Sequence, residues 1–146
     1  MSLEFWAATD VGRTREHNED NFLVARKLNL FVVADGMGGH AAGEVASNIA
    51  VHEVHRVVSE HVAILEAYRK HPGDVEKERV LELIEESISV ACATVHRLAQ
   101  EDPAKKGMGT TLSLLLILGN RGFVGHVGDS RIYLLRNGGV LQLTED

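Results

Sequence analysis

The sequence predicts an α+β fold, an antiparallel β-sandwich flanked by an antiparallel pair of helices. Apolar stretches of strand length lie at both ends of the chain, and two long stretches with helical periodicity lie between them. The turns between neighbouring strands are short, which favours antiparallel pairing. No repeat, low-complexity tract or linker divides the 146 residues, so we expect residues 1–146 to belong to one domain.

The first third of the chain predicts three strands. They are expected at residues 4–10, 20–27 and 30–35. Because the link between the second and third is so brief, these two should pair as an antiparallel hairpin. In such a pair the start of one strand lies opposite the end of the next. Glu19 and Asp20 should therefore converge with Asp35 at one end of the hairpin.

The middle of the chain predicts two helices. Apolar residues recur at helical spacing from residue 44 to about 68 and from about 75 to 100. The sequence His-Pro-Gly-Asp at residues 71–74 separates the two stretches. In the second stretch the apolar spacing approaches a seven-residue repeat, which is typical of the seam between antiparallel helices. We expect the pair to lie on one face of the sheet.

The last third of the chain predicts four more strands. They are expected at residues 110–118, 123–127, 131–136 and 140–143. The turns between them are rich in glycine, and Asn-Gly-Gly at residues 137–139 is typical of a hairpin. A second acidic turn contains Asp129, but aspartate is common in ordinary turns and does not indicate a site by itself.

Composition excludes several functional classes. The formal net charge is −6 and no basic run is present, so we expect no nucleic-acid partner. The longest apolar run, residues 112–118, is too short to cross a membrane, and the N-terminus lacks the pattern of a signal peptide. We therefore expect no membrane partner. A single cysteine, Cys92, excludes an internal disulfide and favours a reducing compartment, so the predicted location is the cytoplasm.

A glycine-rich segment follows the third predicted strand and suggests a cation site. Asp35 ends a run of four apolar residues and is followed by Gly-Met-Gly-Gly. An ordinary Asp-Gly turn is the alternative interpretation. Glu19, Asp20, Asp35 and the Gly36 carbonyl are hard oxygen ligands of the kind that select Mg²⁺, Mn²⁺ or Ca²⁺ over zinc. Two cations sharing a carboxylate can activate a water for the hydrolysis of a phosphoester.

Other polar residues near these carboxylates suit the same chemistry. Arg15 lies in the turn before Glu19, and its planar guanidinium can bind a phosphate through two hydrogen bonds. Taken alone, it is more typical of a solvated loop arginine. His17, His40 and His126 fall in or near the loops of the predicted site, where a histidine can carry protons.

Four segments occur in an order that carries a family resemblance. They are TDVGRTREHNED at residues 9–20, VADGMGG at 33–39, GMGTT at 107–111 and HVGDSR at 126–131. Together they resemble the metal-dependent serine/threonine protein phosphatases of the PP2C type (the PPM family), in bacterial form. Each segment alone is a weak signal, but four in order are specific and span nearly the whole chain. The family fold is a β-sandwich with helices packed outside.

The resemblance implies a role for each site residue. Arg15 looks like the phosphate-binding arginine, and Asp35 looks like the carboxylate that bridges two metals. Glu19 and the Gly36 carbonyl look like ligands of the second metal. Asp20 looks like the residue that orients a metal-bound water, and Asp129 looks like a ligand of a weaker third metal. The implied cofactors are Mn²⁺ or Mg²⁺, two ions with a third in the complete domain.

The resemblance also implies a reaction and a substrate. Family members hydrolyse phosphoserine or phosphothreonine by direct attack of metal-bound hydroxide, without a phosphoenzyme. The implied partner is therefore a phosphorylated protein, with a serine/threonine kinase pathway as its setting. Met37 stands where animal relatives carry a histidine proposed as the general acid, which leaves His40 as a candidate.

The length of the chain departs from the family pattern. The family's second half supplies further metal-binding aspartates, and this sequence stops at residue 146 before them. We therefore expect the N-terminal portion of a single catalytic domain, with little activity, weak metal occupancy and self-association. The alternatives are a non-catalytic phosphatase-like regulatory or binding module, and a nucleotide-binding module. The latter is disfavoured because neither nucleotide-binding glycine motif follows the strand.

Overall fold

The computed structural model describes residues 2–39 and 41–146. These residues form seven strands, three α-helices and one short 3₁₀ helix, and every strand pair is antiparallel, which confirms the predicted α+β class. The elements are β1 Asp20–Ala25, β2 Leu30–Met37, α1 Ala42–Glu60, α2 Val62–Lys70, α3 Asp74–Glu101, the 3₁₀ helix Pro103–Lys105, β3 Gly109–Thr110, β4 Leu112–Leu118, β5 Arg121–Val127, β6 Tyr133–Arg136 and β7 Gly139–Gln142.

The main sheet brings the ends of distant segments together. Its strands run in the order β1-β2-β4-β5, and the short β3 pairs with the end of β2. β6 and β7 form a separate hairpin whose turn residues, Asn137 and Gly138, both have positive φ, as a two-residue turn of this type requires. In the β1–β2 pair Asp20 lies directly opposite Asp35, so the predicted convergence of these two residues is confirmed.

The hydrophobic core lies between the helices and one face of the sheet. Along β2, Leu30, Val32 and Ala34 are buried and alternate with residues on the opposite face. α1 packs on β1, β2 and α3, and α3 reaches β5, where Ile84 approaches the backbone of Gly125. The prediction that the helices lie on one face of the sheet is therefore confirmed.

The first helix differs from the prediction of one continuous helix. The helix breaks at His61, between α1 and α2. The ring Nδ1 of His61 lies 2.9 Å from the Val57 carbonyl, while the His61 N–H bonds to Val58 instead, at 3.1 Å. This change of partners redirects α2, which places the Tyr68 ring edge-on to Phe123 at 5.2 Å. The second predicted helix is confirmed as α3.

The prediction of a strand at residues 4–10 was wrong. In the described part of the chain these residues pair with no other strand, and an extended segment becomes a strand only when a neighbour completes its hydrogen bonds. The segment is held by side chains instead: the Phe5 ring packs edge-on against Phe31 at 5.3 Å, and the Arg26 guanidinium lies 5.0 Å from the Phe5 ring centre. Within the described residues, no helix combines the length and apolar character needed to span a bilayer.

Candidate metal and phosphate site

All six residues predicted for the site line a single cleft of about 490 Å³. They are Arg15, Glu19, Asp20, Asp35, Gly36 and Asp129. Sequence reasoning assigned no role to several other residues of the wall, notably Asp10, Asn18 and Thr111. Each of these belongs to one of the four motif segments, so the motifs themselves carried a signal that was not used.

The strand pairing places two carboxylates, those of Asp20 and Asp35, side by side in the wall of the cleft. Burial raises the pKa of Asp35 above its ordinary value of 3.8, and the charge of Asp20, a hydrogen bond to Asp20 and the charge of Asp129 raise it further. The positive charge of Arg15 opposes this shift. Like charges held this close need a proton or a cation between them. The cleft is therefore electrostatically suited to a bound cation.

Close backbone packing sets the position of Glu19. A Cβ atom on Gly43 would lie 2.0 Å from Glu19 Oε2, so the carboxylate occupies the space beside the first turn of α1 that a side chain would fill. A Cβ on Gly36 would likewise lie 1.8 Å from the Gly43 carbonyl oxygen. The Gly36 N–H donates to the Glu19 carbonyl at 3.1 Å. These two glycines therefore allow strand β2, the start of α1 and Glu19 to meet.

Thr111 connects the two acidic turns of the site. Its Oγ1 accepts a hydrogen bond from the Asp35 N–H at 3.0 Å, and its own N–H donates to the Asp35 carbonyl at 2.9 Å. The same hydroxyl lies 2.9 Å from the Ser130 hydroxyl, next to Asp129. Gly128 has a φ of +107°, and a Cβ there would lie 2.6 Å from Thr111 Cγ2. The turn that carries Asp129 is thus packed directly onto the end of β2.

Local hydrogen bonds order the loop that carries Arg15. Asp10 Oδ1 accepts from the Gly12 N–H at 2.7 Å, which forms a turn just before the arginine. At the other end of the loop, Asn18 Oδ1 accepts from the Asp20 N–H at 3.0 Å, and its amide donates to Thr9 at 2.8 Å. Arg15 itself is exposed at the cleft and is available to an anion.

The three histidines considered as proton carriers have different positions. His17 lines the cleft. His126 is outside the cleft wall, and its Nδ1 lies 2.8 Å from Ser113 on the neighbouring strand. His40 lies outside the described residues. Of the three candidates, His17 and His126 lie in the described residues, and of these two only His17 lines the cleft.

The donors in the cleft fit a hard divalent cation chemically. Carboxylate and carbonyl oxygens are the ligands that Mg²⁺ and Mn²⁺ prefer. Within residues 2–39 and 41–146, however, no three side chains of histidine, cysteine, aspartate or glutamate are grouped closely enough to hold one ion together. The described residues therefore present part of a ligand shell rather than a closed metal site.

Most of the chain matches a known protein family. The family model described as Protein phosphatase 2C matches residues 11–146. The chain belongs to the protein phosphatase 2C family. The protein phosphatase 2C match includes three of the four motif segments completely and the first from residue 11 onward. It therefore covers the entire wall of the cleft except Asp10.

Related phosphatase 2C proteins are serine/threonine phosphatases of bacteria. The serine/threonine phosphatase stp of Listeria innocua is 38% identical over 149 residues, which cover all of this chain and 54% of that protein. The serine/threonine protein phosphatase PstP of Mycobacterium tuberculosis is 35% identical over 146 residues, all of this chain and 25% of that protein. The chain thus spans between a quarter and about half of the length of these relatives.

A solved phosphatase 2C structure shows the same fold. The crystal structure of the catalytic domain of PstP in complex with two manganese ions matches with a TM-score of 0.74 and 36% sequence identity. The match covers 94% of this chain and 53% of that chain. The described fold is therefore that of the N-terminal part of the related catalytic domain.

Proposed function

We propose that this chain supplies the N-terminal part of the catalytic domain of a phosphoserine/phosphothreonine protein phosphatase that depends on Mn²⁺ or Mg²⁺. The observation that carries the proposal is one cleft that is lined by an arginine and five acidic residues. Membership of the protein phosphatase 2C family supports the reaction class. A phosphorylated protein in a serine/threonine kinase pathway is the proposed substrate, and the cytoplasm the proposed location.

The proposed roles are those that the family resemblance implies, and the shared cleft supports them. Asp35 lies opposite Asp20 and close enough to Asp129 to feel its charge. It would share its own charge between two ions, while Glu19 and the Gly36 carbonyl would bind one of them. When bound, the ions would neutralise charge on the phosphate and lower the pKa of a water bound to them to near neutral. Asp129 would contribute to a third, weaker ion.

The remaining two residues would act on substrate and water directly. Arg15, exposed at the rim, would bind two phosphate oxygens through its guanidinium. Asp20, opposite Asp35, would accept a hydrogen bond from the attacking water and orient it toward phosphorus. Most of the catalytic contribution in phosphoryl transfer comes from such positioning and charge neutralisation.

We further propose that the chain by itself has weak metal occupancy and little activity. Fewer anionic ligands bind a divalent cation less tightly, and no three acidic or histidine side chains are grouped around one ion in the described part of the chain. A complete set of metal ligands would require carboxylates from outside these 146 residues.

A phosphopeptide assay tests the proposal. The 146-residue chain and a version extended at its C-terminus are each incubated with a phosphothreonine peptide and Mn²⁺, with and without excess EDTA. We expect the extended version to release phosphate in a reaction that EDTA abolishes, and the short chain to release little. Full activity in excess EDTA would show that the metal-dependent mechanism is wrong.

A non-catalytic phosphatase-like module is the second candidate, favoured by the same incomplete ligand grouping. Such a module would bind a partner without hydrolysing phosphoester. An extended version that binds Mn²⁺ but releases no phosphate from any phosphopeptide would support it over the enzyme.

A further inference from the structure

A hydrogen-bond network behind the cleft involves two residues that no role yet explains, Ser47 and Asn21. Ser47 lies in α1 and is fully buried. Asn21 lies in β1, opposite the buried Ala34, and so on the helix-facing side of the sheet. Neither residue lines the main cleft. Resting on the proposed function, we propose that Ser47 and Asn21 are positioning residues that hold Glu19 and Gly36 in the relative geometry a divalent cation requires.

The Glu19 carbonyl is the centre of this network. Ser47 Oγ donates to it at 2.6 Å, and the Gly36 N–H donates to it at 3.1 Å. One donor belongs to helix α1 and the other to strand β2. Because a carbonyl oxygen has two lone pairs, both of its acceptor positions are used. The backbone of Glu19 is thus held from two sides by two different elements.

Asn21 determines the direction in which the Ser47 hydroxyl donates. Asn21 Nδ2 donates to Ser47 Oγ at 2.7 Å and approaches the Glu44 carbonyl at 3.3 Å. Ser47 has a second possible acceptor, the Glu44 carbonyl at 3.2 Å, but that distance is longer. With the Asn21 amide occupying a lone pair of Oγ, the single hydroxyl proton is directed to the Glu19 carbonyl.

Holding the Glu19 backbone determines where its carboxylate lies. The carboxylate occupies the space above Gly43, four residues before Ser47 in the same helix. Gly36, whose carbonyl is the other proposed ligand, packs against the Gly43 carbonyl. The helix therefore contacts both proposed ligands through its backbone at Gly43 and anchors one of them through the Ser47 hydroxyl. Loss of that hydroxyl would release Glu19 while leaving the helix packed.

Ser87 provides a matched control. It lies in α3, is also fully buried, and its hydroxyl donates to the Ile84 carbonyl of its own helix at 2.8 Å. Ser47→Ala and Ser87→Ala each remove one buried hydroxyl from a helix. Only Ser47→Ala removes a hydrogen bond to a site residue, the one to the Glu19 carbonyl. A difference in Mn²⁺ affinity between the two variants therefore reports positioning of Glu19 rather than a general loss of stability.

The experiment measures Mn²⁺ affinity and amide exchange in the C-terminally extended version of the chain, because the 146 residues alone are proposed to bind metal weakly. Titration calorimetry with MnCl₂ is run on the wild type, Ser47→Ala, Ser87→Ala and Asn21→Leu, together with hydrogen exchange at the Gly36 amide. We expect Ser47→Ala to weaken Mn²⁺ binding about tenfold, in the range found for partners that orient metal ligands. Asn21→Leu should act in the same direction, and both should speed exchange at Gly36. Ser87→Ala should leave affinity and exchange unchanged.

The possible outcomes separate this inference from the proposed function. If the wild type binds Mn²⁺ and Ser47→Ala matches Ser87→Ala, the positioning role is wrong and the cation site stands. If the folded wild type binds no Mn²⁺ at millimolar concentration, the cation site and the inference both fail. Should Ser47→Ala not fold, Asn21→Leu decides, since Asn21 is only partly buried, and an unchanged affinity in that variant overturns the inference.

Discussion

Asp35 illustrates at the residue scale how a functional group can oppose folding. Its pKa is raised by burial and then by the neighbouring charges of Asp20 and Asp129. A carboxyl with a raised folded-state pKa contributes stability that is fully present below its unfolded pKa, 3.8, and is lost as pH rises through the folded pKa. At neutral pH without metal, the charge of Asp35 therefore destabilises the folded chain.

The first prediction concerns Asp35→Asn. In the absence of metal, this variant should be more stable than the wild type at neutral pH, with a higher melting temperature. The difference should vanish in acid, where the wild-type carboxyl is protonated. Mn²⁺ should stabilise the wild type and have no effect on the variant. Thermal unfolding from about pH 4 to pH 8 measures both effects.

Glu86→Gln, on the exposed surface of α3, is the control for this prediction. It removes the same charge far from the cleft and should leave the pH dependence unchanged. A wild-type chain more stable than Asp35→Asn at neutral pH without metal would contradict the assigned electrostatics.

Gly43 illustrates close packing at the residue scale. Replacing glycine with alanine in a helix usually stabilises it by about 0.5–1 kcal/mol. At Gly43 the added Cβ would instead lie 2.0 Å from the Glu19 carboxylate. The second prediction is that Gly43→Ala destabilises the chain and weakens Mn²⁺ binding, because Glu19 must move. Gly39→Ala is the control, since among the described residues, its two chain neighbours aside, a Cβ there meets nothing within 4 Å. Equal Mn²⁺ affinities in the two variants would refute the assignment.

At the scale of elements, the site depends on how the end of β2 meets the turn after β5. Thr111, which is buried, joins them through hydrogen bonds to Asp35 and Ser130. The third prediction is that Thr111→Val, which keeps the shape but loses the hydroxyl, costs about 1–3 kcal/mol in the free energy of unfolding, because the Asp35 N–H loses its acceptor.

Thr111→Ser separates shape from hydrogen bonding in this prediction. It keeps the hydroxyl and should retain more of the Mn²⁺ affinity than Thr111→Val does. Urea unfolding gives the stability, and calorimetry with MnCl₂ gives the affinity. If serine proves as damaging to Mn²⁺ binding as valine, packing of the methyl group rather than the hydrogen bonds controls the turn.

At the scale of the whole molecule, apolar surface remains exposed on the β6–β7 hairpin. Leu135 is 74% exposed and Val140 is 69% exposed, and the two lie opposite each other on one face of the hairpin. Isolated two-stranded hairpins are marginally stable in water, and exposed apolar patches favour association. We therefore propose that copies of this chain associate through the hairpin.

The fourth prediction tests this association. Leu135→Lys combined with Val140→Lys should lower the average mass measured by light scattering at high protein concentration toward that of a monomer. The control carries one added lysine on the exposed surface of α3, at Gln100, and should behave as the wild type. A wild type that stays monomeric at every concentration would contradict the proposal.

The predictions that succeeded concern residues close in sequence or joined by motifs. The pairing of Asp20 with Asp35 follows from the short hairpin that joins their strands, so the sequence alone could predict it. The long periodic pattern of α3 was equally sufficient. The four motif segments predicted that Arg15 and Asp129 belong to the same site. The spacing of the two residues in the sequence could not predict this by itself.

The sequence by itself therefore determined the fold class, the family and six of the residues that line the cleft, because these depend on local patterns and on motifs. Only the tertiary structure decided the break at His61, the failure of residues 4–10 to form a strand, and the contacts made by Ser47, Gly43 and Thr111. These depend on how a helix docks on a sheet and on which backbone groups find partners. These contacts are determined by packing between segments that are distant in the sequence. Thr111 and Asp35, for example, are hydrogen-bonded although 76 residues separate them in the sequence.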